Sequence, residues 1–325
     1  MMKIYKVVTF LLLLGMSVMG FAEGGKTPIA YLNAMTSAHK MLNYELFYLV
    51  QQGEQVDSLR YRHANYLGKE YAQLLQLDKA REEIILRDNR VSYFGEFQPF
   101  SLASNHILDN LPILLYTDFN QLDGYNFIDV GRERVANRLA RVIRIVPKDD
   151  FRYQHEIWID EENYLLLRAD LLDRDGNILE QFKVLKSTVD NQFMHIIEPI
   201  TSLILPSVIV DEKKNSPSLN WEPKWIPQGF KKITSGTQRL SGILIENEQV
   251  ESQLYSDGLV SFTIYLVQNK GIIFNEQFWR QGKISIYSQT IGDKDVVIVG
   301  EIPLVSARHI VQDIQQNQPI KEAKQ

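Results

Sequence analysis

From Thr27 onward the apolar positions follow a helical period. Ile29, Leu32, Met35, Ala38 and Leu42 recur every three or four residues, which lines them up on one face of a helix of about 14 residues. Thr27 before Pro28 marks its start, a hydroxyl N-cap followed by a residue whose missing N–H costs nothing at the first helical position. The period then falls to two. Segments rich in Tyr, Val, Ile and Leu near 43–51, 56–64, 70–77, 82–87, 90–94, 125–134, 138–147, 152–160, 164–173 and 178–188 predict a long antiparallel meander. Short polar turns separate them, among them Gln52-Gly53, Asp88-Asn89, Asp149-Asp150 and Asp175-Gly176. The stretch 97–122 predicts a loop with short helical turns.

Simple alternation would make one face of each strand apolar, yet Tyr44, Leu46, Phe47, Tyr48, Leu49 and Val50 are apolar on both. Ile157-Trp158-Ile159 and Leu165-Leu166-Leu167 repeat the doubling. Strands covered on both sides have this pattern, and a large sheet that curves around a filled hollow is the economical model. The filling can be protein alone or can include a ligand; the pattern allows both.

Composition shifts near residue 200. Ile200 to Ser218 holds Pro206, Pro217 and the polar run Asp211 to Ser216, so 200–220 is expected to be a linker. A second domain, 221–318, offers strands near 230–235, 250–256, 259–267, 284–290 and 295–300. Ala307, Ile310, Val311 and Ile314 close it as a helix, and 319–325 is a polar tail. The expected fold class is α+β: a curved antiparallel half-barrel over 23–199 with helices in its hollow, then a smaller α/β domain.

The first 22 residues carry another signal. Lys3 and Lys6 form a basic head, Val7 to Met19 an apolar run, and Gly20-Phe21-Ala22 ends with small residues at the positions a signal peptidase recognises. A run of roughly 13 residues is short of the roughly 20 that cross a ~30 Å bilayer core, so a cleaved signal over 1–22 is expected. Its removal takes two lysines and no acid, turning 35 basic side chains against 40 acidic into 33 against 40. That balance speaks against a nucleic-acid binder, which needs cations to displace counterions. With no cysteine, the exported chain must hold together by packing, and thiol chemistry and cysteine metal sites are excluded.

Candidate chemistry is sparse. Gly20 to Thr27 matches the spacing of a phosphate-binding loop but straddles the signal cleavage site, where no strand precedes it. Asp173 to Asn177 resembles the middle of a calcium loop, but Leu171 and Phe182 occupy its first and twelfth ligand positions, leaving a hairpin turn. The six histidines lack the spacing that holds zinc on a helix, and the pairs Asp149-Asp150 and Glu161-Glu162 fall in turns as solvated acids. No cofactor and no catalytic residue is expected. Arg132, Arg134, Arg138, Arg141 and Arg144 fall on one predicted hairpin, where they either present a surface for phosphate or carboxylate or simply keep a sheet face soluble. Trp221 to Phe230 packs two tryptophans and two prolines into ten residues, a composition found at domain boundaries and partner surfaces, though taken alone core packing accounts for it first.

In order along the chain, Leu59 to His63, Ala72 to Asp78, Leu111-Pro112, Tyr116 to Phe119, Leu171 to Gly176 and Leu179 to Phe182 resemble the RseB/MucB family. So do Trp225 to Phe230, Glu251 to Leu259 and Val299 to Glu301. The resemblance implies a LolA/LolB-like half-barrel and a periplasmic, non-enzymatic regulator. Such a protein binds the periplasmic part of the anti-sigma factor RseA (MucA), shields it from the site-1 protease DegS and is released by lipid or lipopolysaccharide. The expected partner surface is Trp225, Phe230, Tyr255, Asp257 and Leu259; the expected lipid-binding residues are Leu46, Tyr48, Tyr93, Phe94 and Trp158. Self-association stays open. A lipoprotein or lipid carrier is the competing expectation, and the second domain is what such a carrier would lack.

Overall fold

The structure, a computed structural model, describes residues 26–80, 82–190, 194–209, 219, 221–242, 245–273 and 275–317. The expected signal segment 1–22, the polar run 211–216 and the tail 319–325 lie outside the described residues. Helix α1 (Pro28–Met41) starts as the sequence predicts, with the Thr27 hydroxyl accepting from the Ala30 amide. Eleven strands follow: β1 (Tyr44–Gln52), β2 (Gln55–Tyr66), β3 (Lys69–Gln76), β4 (Glu83–Arg87), β5 (Arg90–Phe94), β6 (Phe100–Ala103), β7 (Tyr125–Val135), β8 (Arg138–Pro147), β9 (Gln154–Asp160), β10 (Leu166–Leu172) and β11 (Ile178–Val189). They form one open antiparallel sheet in the order β6-β5-β4-β3-β2-β1-β11-β10-β9-β8-β7. The join in its middle pairs β1 with β11, Tyr44 opposite Val189.

Turn chemistry sets the register. Asp88 and Asn89 both adopt positive φ, 55° and 54°, the twist a two-residue hairpin needs. At the β10–β11 turn the Asp173 carboxylate accepts from the amides of Asp175 and Asn177. This is the hairpin expected in place of a calcium loop.

Helix α1 contacts β2, β9 and β7, and 3-10 turns at Ile113–Leu115 and Phe119–Gln121. Strands β2 and β7 stand six places apart in the sheet, about 29 Å at 4.8 Å spacing, whereas 14 residues of helix are about 21 Å long. A sheet that bends around the helix meets both contacts readily. Leu32 and Met35 of α1, with Leu114, Leu115 and Phe119, fill the concave side.

A helix α2 (Met194–Thr201) follows, and the chain then docks on the sheet edge. The Arg87 guanidinium donates to the carbonyls of Ile200, Thr201 and Leu203, and the Ile209 amide donates to the Ser101 carbonyl of β6. Residues 200–209, expected as linker, therefore lie against the first lobe.

The second lobe is a six-stranded antiparallel sheet of β12 (Lys231–Gly242), β13 (Ile245–Ser256), β14 (Ser261–Gln268), β15 (Gln277–Gln281), β16 (Ile284–Ile291) and β17 (Lys294–Gly300), in the order β12-β13-β14-β17-β16-β15. Helix α3 (Leu304–Asn317) buries Ala307, Ile310, Val311 and Ile314, the periodic residues of the sequence. One continuous apolar core runs through both lobes, joining Leu122 and Tyr125 to Phe230 and Leu259.

Candidate functional site

Three places in the fold concentrate chemistry: the concave face of the large sheet, the seam between the lobes, and a cavity where the two meet. On the concave face, cross-strand pairing sets Leu46, Tyr61, Leu74, Ile84 and Tyr93 in one row from β1 to β5. Tyr48 shares this face; its ring centroid lies 4.6 Å from that of Phe182, and its hydroxyl donates to the Asn110 carbonyl at 3.1 Å. Phe94, one residue past Tyr93, falls on the other face. So does Trp158, whose indole N–H donates to Glu133 at 2.8 Å beneath the Arg168 guanidinium. The structure thus brings Leu46, Tyr48 and Tyr93 together and sets Phe94 and Trp158 apart from them. The doubly apolar strands β9 and β10 are covered by protein on one side and by this indole and charge layer on the other.

Under the C-terminal end of α1 lies a buried polar cluster that the dispersed histidines of the sequence did not announce. The Tyr44 hydroxyl and His39 Nδ1 are 2.5 Å apart, His63 Nδ1 lies 2.7 Å from the Leu42 carbonyl, and His63 Nε2 lies 3.2 Å from Glu70. Burial, with His63 beside it, holds His39 well below the ordinary histidine range. Among the described residues no group of three His, Asp or Glu side chains is arranged to hold a metal.

The seam is built around the β8–β9 loop of the first lobe. Its Arg152 side chain is 1% exposed and pairs with Asp149 of the same loop at 2.5 Å and with Asp257 of the second lobe at 3.2 Å. Asp257 also accepts from the Tyr125 hydroxyl at 2.7 Å and from the amides of Leu259 and Val260. The guanidinium lies between the rings of Tyr125 and Phe230, 4.7 and 5.9 Å from their centroids. Phe151 meets the edge of Trp225, which stacks on His309 at 3.7 Å. Tyr153 donates to the Ile302 carbonyl, and Ser306 to that of Phe151. The turn at Gly258 is possible because glycine accepts φ of +94°, and its carbonyl receives Thr117 Oγ1 at 3.3 Å.

Of the five residues expected to form a partner surface, Tyr255 and Leu259 are core, Phe230 is buried against Phe262, Asp257 is a buried seam residue, and Trp225 is half-buried at the rim. The residues that reach across to them, Tyr125, Arg152 and Tyr153, were missed because nothing local distinguishes them from an ordinary strand start and turn.

At the other end of the seam, Lys283 of the second lobe lies 3.2 Å from Glu180 on β11 and 3.1 Å from Glu301. Beside it is a cavity of about 170 Å³ lined by Val50, Gln52, Asn110, Pro112 and Phe182 among others, with a smaller one of about 30 Å³ reaching His155. Burial, reinforced by the Lys283 charge, pushes His155 down to about 4, and its Nε2 has no hydrogen-bond partner. Pockets for drug-sized ligands run to about 300–1,000 Å³, so in this conformation the space suits waters or a small group.

The arginine hairpin is split between faces and internally paired. Arg132 and Arg141 meet Glu161, Arg138 meets Asp160 and Glu162, and Arg144 meets Glu156. Of the turn acids, Asp149 and Glu161 are partly buried partners of Arg152 and of Arg132 and Arg141, whereas Asp150 and Glu162 are solvated as expected, 69% and 83% exposed.

Two family models cover this architecture, the MucB/RseB N-terminal domain over residues 27–212 and the MucB/RseB C-terminal domain over 215–315. The chain belongs to the MucB/RseB family. It is 42% identical over 286 residues to the sigma-E factor regulatory protein RseB of Haemophilus influenzae, covering 87% of this chain and 89% of that protein. To RseB of Escherichia coli K12 it is 39% identical over 297 residues, 90% and 92% of the two chains. Among solved structures, MucB in complex with MucA(peri) aligns with a TM-score of 0.68 at 22% identity, over 86% of this chain and 95% of that one. The Pseudomonas aeruginosa MucA/MucB complex gives 0.69 at 22% identity, over 87% and 96%. The family's named members are regulators, and among the described residues no helix is long and apolar enough to cross a membrane.

Proposed function

We propose that this protein is a periplasmic negative regulator of the envelope-stress sigma factor. It binds the periplasmic part of the anti-sigma factor RseA, shields it from site-1 proteolysis, and lets go when lipid or lipopolysaccharide arrives. The observation that carries this reading is the match of both MucB/RseB models in order along the chain, together with the complex that a relative forms with MucA(peri). Binding rather than catalysis is the proposed work. The proposed organisation is a signal over 1–22, a half-barrel domain over 23–199, a crossing over 200–220, a second domain over 221–318 and a tail.

The partner surface we favour is the second lobe beside the seam, with Trp225 at the rim and Phe230, Tyr255, Asp257 and Leu259 setting its shape from beneath. An acyl chain would enter along Leu46, Tyr48 and Tyr93 from the cavity at Phe182, once the concave face opens. Linkage then requires lipid and RseA to weaken each other equally, and a coupling of about 1–3 kcal/mol, 5–150-fold, suffices to switch occupancy. The test is cleavage of the RseA periplasmic segment by its protease with the purified mature protein present. Slower cleavage, relieved by lipopolysaccharide fragments, is expected; cleavage at the unprotected rate under saturating protein overturns the reading.

A further inference from the structure

The two ends of the seam are built differently. At the β8–β9 loop, Arg152 and Asp257 are 1% and 2% exposed, flanked by aromatic rings and cross-linked by Tyr125. An ion pair in such a dry place is lost only by stranding a buried charge. At the other end, Lys283 stands between Glu180 and Glu301 with 27% of its side chain exposed, beside a cavity of about 170 Å³. Arg280 approaches Asp173 at 3.7 Å there, and Gly282 packs against Gln52. Lys283, Glu180 and Glu301 keep 27%, 18% and 19% of their side chains exposed, so this bridge, unlike the Arg152 pair, is reached by solvent and screened by salt.

We infer that the lobes turn about the Arg152–Asp257 contact as a fixed pin, and that the Lys283 bridge is the latch that opens and closes the cavity side of the seam. Motion about the pin widens the space between Phe182 and Lys283 while the loop at Phe151 stays gripped by Trp225 and Ser306. Pin and latch both belong to this one chain, whatever partner it serves.

The chain has no cysteine, so spin labels can be placed singly. One pair, Glu54→Cys with Gln277→Cys on the exposed strand that leads into the Gly282–Gln52 contact, reports the latch side; another, Asp123→Cys with Lys231→Cys, reports the pin side. In double electron–electron resonance, Lys283→Met is expected to raise the long-distance population of the latch-side pair about fivefold and to leave the pin-side distance unchanged. Added salt should act on the unsubstituted chain in the same direction. Asp257→Asn should broaden both pairs. Equal movement of both pairs in Lys283→Met, or no response of the latch-side pair to either the substitution or salt, overturns the hinge.

Discussion

The guanidinium of Arg152 fills the volume that a side chain at Gly124 would need. Glycine at 124 is therefore half of the Arg152 site, and its neighbour Tyr125 supplies both the ring below the cation and the hydroxyl on Asp257. Gly124→Ala is expected to push the cation off Asp257 and cost about 3 kcal/mol, the lower end for breaking a buried pair. Urea midpoints at unchanged slope measure it. Combined with Arg152→Ala, the second substitution should add little, because both remove one contact; full additivity would show that the two positions act apart.

Tyr125→Phe keeps the ring and loses the hydroxyl. A hydrogen bond to a charged group contributes roughly 1.5–3 kcal/mol, so this variant should be destabilised by that order and less than Asp257→Ala, which leaves the buried Arg152 with Asp149 as its one carboxylate. The reverse ranking would mean that the ring contacts, not the ion, hold the seam.

Acid should weaken the fold through His155. Its pKa falls from an ordinary 6.5 to about 4 in the folded state, so below pH 6.5 the unfolded chain takes up a proton that the folded chain refuses. Stability is thus full above pH 6.5, is lost progressively as pH falls towards 4, and is reduced in total by about 3 kcal/mol. His155→Leu should remove one proton's worth of that slope between pH 6.5 and 4 in denaturation curves. An unchanged slope would assign the acid sensitivity to His39, which burial lowers in the same direction.

If lipid enters along the concave face, substitutions should sort by face. Leu46→Trp, which overfills that row at about 1–3 kcal/mol of strain, should blunt the release of the RseA segment by lipopolysaccharide fragments. Phe94→Ala and Trp158→Phe, on the opposite face, should leave release unchanged in a competition titration. Equal effects from both faces would move the lipid elsewhere.

Local physics made much of the fold legible. The Thr27-Pro28 start gave α1 its first residue, and period-two runs with Asn, Asp and Gly turns located most of the large sheet. Elements without such a pattern escaped. Strand β15 is exposed at all five residues and owes its form to pairing with β16. The polar strand β12 runs to Gly242 because β13 lies beside it, well beyond the predicted 230–235. Helix α2 contains Pro199 and is eight residues long, too short for a period to emerge. The seam was the least legible part: Arg152 and Asp257 are 105 positions apart, and periodicity carries no information at that range. Burial of Asp257 was equally invisible, since its Asp-Gly turn looks the same in solvent.

The pairing of Tyr44 with Val189 governs how the molecule can be made. Strand β1 has β2 on one side from the start, but its other side waits for β11, nearly 150 residues later, and until then presents a bare row of amides and carbonyls. Contacts that distant are slow to form. A chain delivered N-terminus first must keep its first half soluble through that interval, so any chaperone that attends this protein should matter most before residue 189 has emerged.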